Sequence, residues 1–154
     1  PNTPVLCGKD RLFVSSGYGY GSEILDISGG TAKLVWSDKG PDNHFQGVAF
    51  FKGRIFSSGG GKLSCFDPQN GKVVYSVAGA KKTSFCITPA GMITYDENGG
   101  TVMLVNVEPD TYSVVSSFKI DYGNGPHWSS PVVSDGMLYL RRGKGLAAYA
   151  IGAK

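Results

Sequence analysis

Residues 48–75 read VAFFKGRIFSSGGGKLSCFDPQNGKVVY. Three short apolar runs, at 48–51, 54–57 and 63–66, each end in a turn signal. A fourth run, at 72–76, follows the turn Asp67-Pro68-Gln69-Asn70-Gly71. Short runs rich in aliphatic and aromatic residues, bounded by Gly, Pro, Asn and Asp, read as strands. Four such strands joined by tight turns make one antiparallel sheet.

The layout recurs along the chain. A turn followed by an apolar-aromatic strand appears as Asp10-Arg11-Leu12-Phe13, Gly53-Arg54-Ile55-Phe56, Gly91-Met92-Ile93-Thr94 and Gly136-Met137-Leu138-Tyr139. The copies lie 43, 38 and 45 residues apart, near the roughly 40–45 residues of a four-stranded propeller blade. Innermost strands are expected just upstream, at 4–7, 47–50, 84–88 and 130–133. Third strands are expected downstream, at 23–27, 62–66, 101–107 and 145–151. Fourth strands follow at 33–37, 72–76 and 112–118, with none after the last copy.

The turns support this division. Lys52-Gly53, Ala90-Gly91 and Asp135-Gly136 suit the positive φ of hairpin loops. Gly17-Tyr18-Gly19-Tyr20-Gly21, Gly59-Gly60-Gly61 and Asn98-Gly99-Gly100 are expected between second and third strands. No stretch holds a convincing helical stripe. Strands such as Val48-Ala49-Phe50-Phe51 are apolar on both faces, as in sheets stacked face against face.

The expected fold is therefore all-β, a β-propeller of four-stranded antiparallel blades. The blades are placed at 1–40, 41–81 and 82–126, with an incomplete one at 127–154. The chain starts at an innermost strand, and its last blade lacks an outer one. The expectation is a C-terminal half of a ring of about seven or eight blades, with a missing N-terminal half completing the last sheet.

Composition narrows the functional classes. The formal net charge is only +3, and its clusters are Lys81-Lys82 and Arg141-Arg142 with Lys144. A nucleic-acid surface needs a denser basic stripe, so no nucleic-acid partner is expected. No apolar run approaches the ~18–20 residues that cross a bilayer, so no transmembrane segment is expected. Cys7, Cys65 and Cys86 are scattered and odd in number, which reads as small buried hydrophobes rather than a disulfide framework. The Gly17–Gly21 loop lacks the following helix and the Lys-Ser/Thr pair of a phosphate loop. Asp96-Glu97-Asn98-Gly99 faintly resembles a calcium loop, but Val107 stands where the bidentate Glu belongs. No nucleophilic serine setting is present.

One constellation stands out. His44 and His127 are 83 residues apart, as are Gly53 and Gly136. Lys82 precedes Gly91 by nine residues, as His44 precedes Gly53. All three fall just before innermost strands, where connecting loops ring the mouth of a propeller channel. His44, Lys82, His127 and the adjacent Trp128 are expected to form a partly cationic rim suited to an acidic ligand. Two histidines in separate blades are too few for a metal centre, so no metal is expected. Tyr18, Tyr20 and Arg141 are candidates for an interaction surface.

The segment from Cys65 to Tyr75 resembles the A-x-D-x-x-T-G-x-x-x-W repeat signature of the pyrroloquinoline-quinone (PQQ) type propellers. Asp67 and Gly71 sit at the signature spacing, and Tyr75 takes the tryptophan's place. Trp36 keeps the aromatic in the first copy. Physically, Asp ties the turn, Gly adopts a left-handed conformation and the aromatic wedges between blades. Residues 128–141 resemble the last blade of the non-enzymatic, BamB-like branch.

This resemblance implies a non-catalytic scaffold for a protein or peptide partner in cell-envelope assembly. It also implies no cofactor, and export to the periplasm or cell exterior. An alternative is a fragment of a quinoprotein dehydrogenase, which would bring PQQ with calcium; the adjacent-cysteine pair of its alcohol dehydrogenases is absent. A second alternative is a small-ligand or glycan-binding propeller using Tyr18, Tyr20, Tyr122 and Trp128.

Overall fold

The computed structural model describes residues 2–44, 47–78 and 82–152. Lys81 of the basic pair, and the chain ends Pro1 and Lys154 assigned to the outer blades, lie outside these. Among the described residues the chain forms fifteen strands and no helix. They pair antiparallel and in chain order, so each sheet is a simple meander.

Sheet 1 holds β1 (Val5–Leu6), β2 (Arg11–Ser16), β3 (Gly21–Asp26) and β4 (Lys33–Asp38). Sheet 2 holds β5 (Val48–Phe51), β6 (Arg54–Gly59), β7 (Lys62–Phe66) and β8 (Val73–Ala78). Sheet 3 holds β9 (Thr83–Thr88), β10 (Gly91–Asp96), β11 (Thr101–Val107) and β12 (Tyr112–Lys119). Sheet 4 holds β13 (Val132–Ser134), β14 (Met137–Arg142) and β15 (Gly145–Ala150). These sheets are propeller blades. Each four-stranded one carries a β-bulge between its third and fourth strands, at Ile24/Leu25, Cys65/Phe66 and Leu104/Val105. Bulges there add local twist to the outer edge.

Two compact units result. The first comprises the chain up to Lys82 together with Glu108–Thr111; the second comprises Thr83–Val107 and the chain from Tyr112 onward. In the first, the strand register lines up Val5, Phe13, Ile24 and Trp36 across one face of sheet 1. That row packs with Phe50, Ile55 and Phe66 of sheet 2. Phe13, Ile24, Ile55 and Phe66 are at most 1% exposed, and each such burial is worth about 1.5–3 kcal/mol. The opposite face of sheet 1 carries a second row, Leu6, Leu12, Leu25 and Leu34. Its ends, Leu6 and Leu34, are 56% and 61% exposed.

The segment from Cys65 to Tyr75 lies in this unit. Asp67 Oδ1 accepts the Gln69 N–H, and the Gly71 N–H returns to the Asp67 carbonyl, both at 2.8 Å. Gly71 has φ +69°, and the indole of Trp36 lies where a Cβ on that glycine would sit, 2.2 Å from ring carbons. Trp36 also packs on Phe66, with ring centroids 5.7 Å apart. The Tyr75 hydroxyl donates to the Glu108 carbonyl at 3.2 Å, and Lys52 pairs with the Glu108 carboxylate at 2.7 Å. The turn Glu108–Thr111 belongs to the first unit.

In the second unit, Ile93, Tyr95 and Val102 pack with Ile120, Leu138 and Leu140. The other face of sheet 4 aligns Val132, Tyr139 and Ala148, with Arg141 opposite Leu146. It is open: Val132 is 54% exposed and Leu146 70%.

Two hairpin loops have positive φ at both residues, Lys52-Gly53 and Asp135-Gly136, as a type I′ turn requires. The third differs from expectation. Thr88 pairs with Gly91, so the loop is Pro89-Ala90 and Gly91 already lies in the strand. Proline presets the first loop position for an ordinary turn, and the positive φ expected of Gly91 is present, at +132°, on the first residue of the strand. The innermost strand of sheet 1 is also shorter than expected. The Cys7 N–H closes on the Arg11 carbonyl, and Pro4 has no N–H to offer a neighbour.

Cys7, Cys65 and Cys86 are free thiols. Burial pushes the Cys7 and Cys65 thiols up to about 11.

Candidate functional site

An up-and-down meander alternates its loops between two ends of the sheet. The loops joining second to third strands, and the connectors between successive sheets, share one end. All the channel-rim candidates therefore stand at that end of their own sheets.

In the first unit the connector between β4 and β5 is held between two turns. On one side, the Gly19 N–H donates to Asp42 Oδ1 at 3.0 Å. A Cβ on Gly17 would meet the His44 ring at 2.7 Å. On the other side, Gly59 lies against the backbone of Asp42, where a Cβ would sit 2.9 Å from its carbonyl carbon. Glycine is required because the connector lies in the space of a side chain. Asn43, 1% exposed, donates from Nδ2 to the Gly47 carbonyl and to Ser57 Oγ at 3.0 and 2.9 Å. This satisfies a buried amide that would otherwise cost about 1–3 kcal/mol. His44 is half-buried, with Nε2 3.5 Å from Asp42 Oδ2 and its ring 4.4 Å from that of Tyr18.

The second unit repeats the device. A Cβ on Gly100 would meet the His127 ring at 2.4 Å. His127 is 6% exposed, and its Nδ1 is 2.6 Å from the Tyr95 hydroxyl. Burial, with help from Arg142 and Lys119 and against Asp96, holds its pKa below the ordinary value. Arg142 donates from Nε to the Gly125 carbonyl at 3.2 Å. Trp128 stands outside, 60% exposed, with Nε1 donating to Glu97 Oε1 at 2.8 Å. Ser84 Oγ donates to the Ser129 carbonyl at 3.0 Å, and Ser129 Oγ to that of Arg141 at 2.8 Å.

The structure thus places the two histidines alike: each lies on a glycine of the preceding second-to-third-strand turn. They differ in access, His44 half-buried and His127 inside. Lys82 is exposed, with φ +37°. Tyr18 and Tyr20 stand 84% and 79% exposed on the Gly17–Gly21 turn, Tyr18 with φ +64°. Trp128 and Arg141, which the sequence treats separately, line one cleft with Pro126, Ser129 and Gly143. Sequence reasoning passed over Asp42, Asn43 and Tyr95. Each is a lone polar or aromatic residue in a loop or strand, with no spacing signal; burial singles out Asn43 and Tyr95, and contacts with Gly19 and His44 single out Asp42. Asp96-Glu97-Asn98-Gly99 is a turn, in which Asp96 Oδ2 accepts the Gly99 N–H at 2.6 Å. Among the described residues no three His, Cys, Asp or Glu side chains are grouped to hold a metal ion.

Meander sheets with glycine-packed connectors define a chain of propeller blades. No family profile and no curated protein matches the sequence. Solved structures do match in fold. BamB from Moraxella catarrhalis has 13% identity and a TM-score of 0.72, covering 97% of this chain and 46% of that one. A chain of an S. cerevisiae complex of Dbp5 with Nup159 and Gle1 has 13% identity and a TM-score of 0.62, with 90% and 37% covered. A europium-containing methanol dehydrogenase has 16% identity and a TM-score of 0.53, with 71% and 23% covered. The chain spans less than half the length of these structures. Its blades are of the kind found in BamB and in a methanol dehydrogenase.

Proposed function

We propose that the chain is part of a non-catalytic PQQ-like β-propeller that scaffolds a protein or peptide partner in cell-envelope assembly, in the periplasm or outside the cell. The observation that supports this best is the exposure of large rings on firmly packed loops. Tyr18, Tyr20 and Trp128 are 84%, 79% and 60% exposed, on turns and connectors held by close glycine contacts and buried hydrogen bonds. Aromatic and arginine side chains of this kind dominate protein-binding energetics. No helix of the described residues is long and apolar enough to cross a membrane.

The blade division at 1–40, 41–81, 82–126 and 127–154 and the missing N-terminal half belong to the same proposal. In a ring of about seven or eight blades, further blades would cover the leucine row of sheet 1 and the Val132, Tyr139 and Ala148 row of sheet 4. An outer strand would pair with β15. On this reading no cofactor is bound, and His44, Lys82 and Trp128 are available to an acidic partner.

The test is partner recovery. Tyr18→Ala with Tyr20→Ala, and Trp128→Ala with Arg141→Ala, should each weaken recovery of a defined partner at unchanged melting temperature. Recovery that neither pair alters sinks the scaffold reading. The likeness to a methanol dehydrogenase supports a second reading, a quinoprotein fragment. The described residues offer no grouped carboxylates for its calcium, so no step is derived through PQQ. Alcohol oxidation by the full-length protein supplied with PQQ and calcium would replace the first reading with the second.

A further inference from the structure

We infer that the cleft between Trp128 and Arg141 receives the carboxylate of an acidic peptide side chain, with an apolar neighbour against the indole. This rests on the scaffold reading and deepens it. The cleft has a volume of about 210 Å³ and is lined by Pro126, Trp128, Ser129, Arg141 and Gly143. Pockets for small organic ligands begin near roughly 300 Å³; this one suits a side chain.

Among the described residues, Arg141 is the one charged residue in that lining. Its Nε donates to the Gly143 carbonyl at 2.9 Å, which sets the guanidinium plane. Its own carbonyl accepts from Tyr95 at 3.2 Å and from Ser129 at 2.8 Å, which fixes the backbone beneath. Among the described residues, Nη1 and Nη2 carry no hydrogen bond or ion pair. The fork is therefore preset and open. A pre-organised guanidinium binds a planar two-oxygen carboxylate through two parallel hydrogen bonds. A phosphate brings a third oxygen and a second negative charge, and the lining holds no second cation for them. The Ser129 hydroxyl proton is already committed to the Arg141 carbonyl. Trp128 is tethered at its nitrogen by Glu97, and together with Pro126 it makes the remaining wall apolar. An acidic residue flanked by apolar ones matches all of this.

The experiment titrates the full chain against labelled, end-blocked pentapeptides by fluorescence anisotropy. One peptide is Ala-Phe-Glu-Phe-Ala; the others carry glutamine or phosphoserine at the centre. N-acetylglutamate competes as the small-carboxylate arm. The glutamate peptide is expected to bind saturably, at least about tenfold tighter than the glutamine one, since hydrogen bonds to charged groups are worth about 1.5–3 kcal/mol. Arg141→Lys, which keeps the charge and loses the fork, should cost about tenfold. Trp128→Ala should weaken binding comparably, with melting temperature and circular dichroism unchanged in both.

Equal binding of the glutamine peptide, or no effect of Arg141→Lys, overturns the inference. So does a preference for phosphoserine, acetylglutamate competing as tightly as the peptide, or no saturable binding at ~1 mM. Partner recovery lost with Tyr18→Ala and Tyr20→Ala but intact with Arg141→Lys overturns the cleft and leaves the scaffold standing.

Discussion

At the scale of single residues, Gly71 and His127 show how little room the blades leave. Gly71 combines a left-handed backbone with an indole packed where its side chain would be. Gly53 has φ +74° but nothing within 4 Å of its would-be Cβ. Gly53→Ala should therefore cost about 1–2 kcal/mol, the backbone term alone. Gly71→Ala adds overpacking of about 1–3 kcal/mol; urea midpoints of the two variants measure the difference. His127 predicts a pH dependence. Burial disfavours its cation, Arg142 and Lys119 add to this, and Asp96 opposes it, so the folded pKa lies below the ordinary 6.5. The unfolded chain binds the proton more readily. Stability is full above pH 6.5 and falls below it, until the folded imidazole also protonates. Over that window the slope of stability with pH should be shallower in His127→Asn than in wild type, whatever its absolute stability. Cys7 and Cys65, with thiols near 11, should react with thiol reagents at pH 8 far more slowly folded than in denaturant.

At the scale of elements, the connectors matter more than the strands. The described residues of the β4–β5 connector form no ladder of their own and rely on Asn43 and the glycines they press against. Asn43→Ala removes two buried hydrogen bonds and leaves the Gly47 carbonyl without its Asn43 donor. A loss of about 2–3 kcal/mol is expected, with faster proteolysis inside residues 39–47, read by urea midpoint and by mapping the cleavage site. The strands were largely legible in the sequence. β7 and β11 fall where their apolar runs do, because short apolar runs and flanking turn residues act locally. The hairpin loop is Pro89-Ala90 rather than Ala90-Gly91, since Pro89 and Gly91 each offer a local turn and the strand register chose between them. The 83-residue spacing of His44 and His127 also showed in the sequence, but not that one ring turns inward to Tyr95. That depends on which neighbour offers a partner and how much water is excluded, both tertiary facts.

At the scale of the molecule, the leucine row of sheet 1 is the largest unspent consequence of the pattern. Leu6, Leu12, Leu25 and Leu34 are far apart in sequence and line up through the strand register. Leu6→Thr with Leu34→Thr should change the stability of residues 1–154 by less than about 0.5 kcal/mol, since both sites are exposed and threonine keeps β propensity. The same pair in a longer chain with preceding blades should cost about 2 kcal/mol or more; thermal melts of both proteins decide. The sequence by itself determined the all-β class, the fourfold repeat and the turn glycines, because periodicity and backbone sterics are properties of short stretches. Only the tertiary structure decided that Trp36 needs Gly71, that His127 is buried beside Tyr95, and that Trp128 and Arg141 share a cleft. Those pairs come from separate turns and strands; the stacking of sheets brings the first two together, and the connector folding back on its own sheet, through Ser129 and the Arg141 carbonyl, brings the third.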